Sequence, residues 1–114
     1  MTPKEKMQRI DDLLSHVWVV RTLIKHSEEA EEDEELLELQ RMLYDYMLAL
    51  GTAWKAQDAE VYLKQATKKY PRLRDATARF SQLQPEVSMH TNFQMARRSL
   101  EVAVAEVGRI IETL

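Results

Sequence analysis

Residues 91–114 read TNFQMARRSLEVAVAEVGRIIETL, and Phe93, Ala96, Leu100, Ala103, Val104, Val107, Ile110, Ile111 and Leu114 recur there at spacings of three and four. That interval is the period of an α-helix with one apolar stripe and does not fit the two-residue alternation of a half-buried strand. Gly108 falls inside the pattern as a tolerable mid-helix exception. Thr91 is followed three residues later by Gln94, a capping-box pattern, so this helix is expected to start at Thr91 or at Ser88.

The same period continues upstream. Tyr62, Ala66, Tyr70, Leu73, Ala76, Thr77, Phe80 and Leu83 keep one register straight through Pro71, which predicts a third helix kinked at Pro71 rather than broken, with Pro85 as its end. Before it, Leu36, Leu39, Leu43, Tyr46, Met47, Leu50 and Trp54 mark a second helix whose end is ambiguous. Gly51 suits a C-terminal stop, the stripe continues to Trp54, and Asp58 is the next good N-cap, so a turn is expected between 51 and 58. The first helix has the clearest start, a capping box of Thr2 and Glu5 around Pro3, and its stripe runs Met7, Ile10, Leu13, Leu14, Val17, Val20 and Ile24 to an end near residue 26. Residues 28–35, EEAEEDEE, carry no apolar seam, which predicts a solvated connection followed by an acidic first turn.

Composition agrees with helices. Two glycines and three prolines in 114 residues leave too little turn chemistry for an all-β fold. With 45% hydrophobic residues, a chain of this length buries roughly 65% of its unfolded surface and needs no covalent staple. A single domain over residues 1–114 is expected: an all-α, four-helix up-and-down bundle with antiparallel neighbours, because the links are too short for crossovers. If two of the helices instead ran together as long rods, the core would be completed by another copy of the chain.

The chain has no cysteine, which removes thiol nucleophiles and thiolate metal sites. The charged N-terminal dozen and the short apolar runs show no signal peptide or membrane span, so a cytoplasmic setting is expected. The three histidines fit no helical metal-binding pattern. The residues three before His16, His26 and His90 are Leu13, Leu23 and Val87, and those four after are Val20, Ala30 and Gln94, so neither a Glu-x-x-His nor a haemerythrin-like pattern is present. His16 reads as a partly buried, hydrogen-bonded histidine, and His26 and His90 as helix-end residues. No nucleophile elbow or glycine-rich phosphate loop is present, no cofactor is expected, and no small-molecule ligand is identifiable from the residues.

Three functional readings remain. Arg21-Thr-Leu-Ile-Lys-His26 resembles the Arg-x(4–6)-His element of small helical ribonucleases of the HEPN type; that resemblance implies a metal-independent ribonuclease, Arg21 stabilising charge and His26 acting as acid or base. Lys64, Lys68, Lys69, Arg72, Arg74 and Arg79, interleaved with Tyr70 and Phe80, form a basic face over 64–79 suited to nucleic acid, although both aromatics also lie on the apolar stripe. The basic face and the acidic run 28–38 are also complementary to each other. The third reading starts from surplus apolar residues. Trp18, Val19, Leu37, Tyr44 and Leu48 exceed what one core-facing stripe needs, and Trp54, at the end of its stripe, is a further candidate anchor. They are either buried on a second side within the chain or form an interface with a second copy or a protein partner. The favoured expectation is a non-catalytic helical protein working by protein–protein contact and self-association.

The spacing of Tyr70-Pro71-Arg72-Leu73, Gln84-Pro85, Met95-Ala96-Arg97-Arg98-Ser99-Leu100 and Glu106-Val107 resembles the layout of small helical regulators of the YlbF/YmcA type. The resemblance covers under half the chain and consists of helical spacing more than identities. It implies a protein-binding regulator that acts in a complex without catalysis, and it assigns no residue a role.

Overall fold

In the computed structural model, which describes residues 1–114, every regular element is a helix. α1 (Pro3–Lys25) begins at the expected capping box. The Thr2 hydroxyl accepts from the Glu5 N–H at 3.1 Å, and the Glu5 carboxylate accepts from the Thr2 N–H at 2.8 Å. These bonds, the one from the Thr2 backbone first, hold the Glu5 carboxyl below its ordinary pKa.

The acidic run departs from expectation. Residues 28–31 form a one-turn helix, α2 (Glu28–Glu31), whose Ala30 N–H donates to the Ser27 hydroxyl at 3.2 Å and whose Ala30 side chain is sealed in the core. Acidic residues stabilise the start of a helix, and one apolar residue is enough to dock a single turn but too few to show a period. α3 (Glu34–Ala56) then starts from Asp33, whose carboxylate accepts from the N–H groups of Glu35 and Leu36 at 3.0 and 3.2 Å.

Gly51 does not stop α3. The helix ends in a Schellman turn in which Gln57 takes the left-handed conformation (φ 53°), its N–H donating to the Trp54 carbonyl and the Asp58 N–H to the Ala53 carbonyl, each at 3.0 Å. A glutamine stands where glycine is usual, and its side-chain amide compensates by donating to the same Trp54 carbonyl at 2.7 Å. Asp58 then caps α4 (Ala59–Val87) through the Val61 N–H at 3.1 Å. α4 runs through both Pro71 and Pro85, so Pro85 does not end it. Each proline deprives the carbonyl four residues earlier, Thr67 or Ser81, of its donor, and both rings lie on the exposed side, where water can supply one.

α5 (Thr91–Glu112) is capped by His90 rather than Thr91: His90 Nδ1 accepts from the Asn92 N–H at 3.0 Å, and Gln94 donates to the Met89 carbonyl instead of closing a box. Leu114, expected on the apolar stripe, lies exposed past the helix end.

Neighbouring long helices are antiparallel, because along each seam residue numbers rise on one helix as they fall on the other. Arg21 meets Gln40 and Trp18 meets Tyr44 between α1 and α3; Arg79 meets Glu35 and Tyr46 meets Ala66 between α3 and α4. Ser81 meets Glu101 and Tyr70 meets Val104 between α4 and α5; Lys6 meets Thr113 and His16 meets Ser99 between α1 and α5. The Tyr62 hydroxyl crosses the core from α4 to Asp11 of α1 at 3.1 Å. Twenty-six buried residues from all five helices form one cluster. The 41 Å long axis matches the length of helices of this size, about 33–44 Å at 1.5 Å per residue.

Candidate interaction surface

The seam between α1 and α3 carries most of the surplus apolar residues. Val19 and Leu48 are 65% and 62% exposed, and Trp18 is half exposed at 49%. Tyr44, Leu37 and Trp54 are half-buried. Leu37 and Trp54 pack against the core cluster, Trp54 lying 6.2 Å from the Tyr62 ring, while the Trp18 and Tyr44 rings lie 6.2 Å apart at the surface. The six residues therefore divide: the chain itself partly covers Leu37, Tyr44 and Trp54, leaves Trp18 half exposed, and leaves Val19 and Leu48 bare.

Arg21 stiffens this surface. Its Nε donates to Gln40 Oε1 at 3.0 Å, and its guanidinium lies 4.5 Å from the Tyr44 ring centre and 5.6 Å from that of Trp18. The stacked cation holds both rings in place, so the apolar surface is preorganised. His26, the C-cap residue of α1, is exposed, and no hydrogen bond joins it to Arg21.

Beside Trp18 the seam opens into a hollow of about 270 Å³, lined among others by Asp11, Leu14, Trp18, Met47, Gly51 and Trp54. Gly51 leaves it open on the α3 side: a Cβ placed there meets no atom within 4 Å. Asp11 stands at its edge and accepts the Tyr62 hydroxyl through Oδ1. Burial pushes the Asp11 carboxyl above its usual range, the Tyr62 bond opposes this, and the neighbouring charge of Asp12 adds to it. No lysine or arginine forms an ion pair with Asp11. Tyr62 is itself raised, first by burial and then by the Asp11 charge.

The other sequence candidates fall elsewhere. His16 is exposed rather than partly buried, although its Nδ1 lies 3.2 Å from Ser99 Oγ. No three acidic or histidine side chains gather into a group able to hold a metal ion, and no helix is long and apolar enough to cross a membrane. Lys64, Lys68, Arg72, Arg74 and Arg79 are exposed along α4, but the aromatics interleaved with them point away. Phe80 is buried beside Phe93, and Tyr70 turns to α5, donating to the Val104 carbonyl at 3.0 Å. Arg79 pairs with Glu35, so the basic face and the start of α3 do meet within one chain.

Asp11, Met47 and Gly51 went unnoticed as site residues in the sequence. The one available signal was a glycine in the middle of an apolar helical stripe, which also has the simpler reading of a helix end. Comparison of the chain with family models, curated proteins and solved structures finds no match.

Proposed function

We propose that this protein is a four-helix up-and-down bundle, α4 bent at Pro71 and α2 clipped to one end, that works by protein–protein contact rather than catalysis, pairing with a second copy through the α1–α3 face. The observation that carries this reading is the half-exposed Trp18 ring, held by Arg21 and Tyr44, with bare Leu48 one turn along α3 from Tyr44 and bare Val19 next to Trp18 in α1. Large aromatic side chains fixed at a surface are the residues that dominate association energy, because they bury much area at little further entropic cost. An isologous contact suits such a face, since each copy supplies the same apolar residues to the other.

Sedimentation equilibrium tests the proposal. The wild-type chain is expected to be dimeric at micromolar concentration, and Leu48→Glu, which places a charge on an already exposed position, is expected to make it monomeric with unchanged helicity. A wild-type chain that stays monomeric up to hundreds of micromolar would overturn the reading.

A further inference from the structure

We infer that the hollow between Trp18 and Trp54 receives the side chain of Arg41 from a second copy of this chain, with its guanidinium against Asp11. The inference rests on the self-association proposed above and names the group that completes the site. Arg41 is exposed, forms no ion pair within its own chain, and stands on the same outward stripe of α3 as Tyr44 and Leu48, at spacings of three and four.

Helical arithmetic sets the register. When two α3 helices cross antiparallel about a two-fold axis, so that Leu48 of each covers Tyr44 of the other, the axis lies at the level of Tyr46. Arg41 and Gly51 then stand five residues, about 7.5 Å, on opposite sides of it. Arg41 of one copy therefore faces Gly51 of the other, the position above which the isolated chain has no atom within 4 Å. A glycine inside a helix costs about 1 kcal/mol relative to alanine. In α3 nothing within the chain uses the space it leaves.

The chemistry of the hollow suits this occupant. Leu14, Met47 and the two indoles accept an alkyl stem, the indole faces attract a cation, and Asp11 is a partly desolvated carboxylate without a positive partner. Charge along α3 supports the same direction of pairing. The helix begins with Glu34, Glu35 and Glu38 and ends with Lys55, so an antiparallel pair brings Lys55 of each copy near Glu38 of the other, whereas a parallel pair sets acid against acid.

The test exploits the absence of native cysteine. Chains carrying Arg41→Cys and chains carrying Gly51→Cys are mixed and mildly oxidised. A mixed disulfide dimer is expected, with little from either variant alone, because in this register like positions lie about 15 Å apart along the helices. In sedimentation equilibrium, Arg41→Gln and Asp11→Asn are each expected to weaken dimerisation by about tenfold or more, and the double variant to be little weaker than either single one. If Arg41→Gln dimerises like the wild type while Leu48→Glu is monomeric, or if Arg41→Cys cross-links to itself, the inference falls and self-association stands. If the wild type never dimerises, self-association falls and takes the inference with it.

Discussion

Two of the helix seams in this molecule contain one glycine each, and the two glycines have opposite surroundings. At the α4–α5 seam a Cβ on Gly108 would overlap the Tyr70 hydroxyl oxygen. The glycine lets the tyrosine reach the Val104 carbonyl, and the seam is filled from within the chain. At the α1–α3 seam the space over Gly51 is open and rimmed by the only two tryptophans, Trp18 and Trp54. The filled seam belongs to the stability of the chain, and the open one is available for contact with something else. The same residue type thus has its cost offset internally in one case and left uncompensated in the other.

The largest test of this contrast compares two aromatics. Phe80→Ala in the filled seam is expected to cost about 3–5 kcal/mol, a large share of the about 5–15 kcal/mol that holds a domain together. Trp18→Ala in the open seam is expected to cost no more than about 1–2 kcal/mol in the monomer while abolishing self-association. Urea unfolding at low concentration, beside sedimentation, separates the two effects. Equal stability losses would make Trp18 an ordinary core residue.

The glycines themselves come next. Gly108→Ala is expected to destabilise by about 1–2 kcal/mol, since the displaced Tyr70 loses packing and its hydrogen bond by more than helix propensity returns. In a Tyr70→Ala background the same change is expected to turn stabilising, a reversal that a double-mutant cycle in urea reads directly. Gly51→Ala, having nothing to displace, is expected to raise monomer stability by about 1 kcal/mol. A loss at Gly51 would show that its space is already used within the chain.

The smallest effect is a pH dependence at the rim of the open seam. The Asp11 carboxyl is raised in the folded chain, mainly by burial, so between its ordinary and its raised pKa the native state binds more protons than the unfolded one. Its contribution therefore lowers stability as pH rises through that window. Asp11→Asn keeps an acceptor for Tyr62 and is expected to remove that slope, leaving the variant slightly more stable than wild type at neutral pH. Parallel pH profiles for the two proteins would remove Asp11 as the source.

Legibility of the fold varied with how local its causes are. The stripes of α1 and α5 and the caps at Thr2 and Asp58 were visible because a helix period and a cap need only residues within a turn of one another. The turn after α3 falls inside the expected window 51–58, but its exact place is not legible, because the left-handed position is filled by Gln57, which carries no glycine signal. Pro85 carries the sequence signature of a helix stop, yet its ring obstructs only the preceding turn and its own φ suits a helix. α2 was missed because one alanine has no period. At the candidate surface, Trp18, Val19 and Leu48 were legible as surplus apolar residues, while Asp11 and the hollow were not.

The sequence by itself determined that this protein is helical, where its four long helices lie to within a few residues, and which stripe of each turns inward, because period, caps and composition act through neighbours along the chain. Only the tertiary structure decided which surplus residues stay bare, that Tyr70 fills the gap at Gly108 and nothing fills the one at Gly51, and that Asp11 stands without a cation. Each of those outcomes depends on side chains dozens of residues apart meeting across a seam, and helix spacing carries no record of which seam closes.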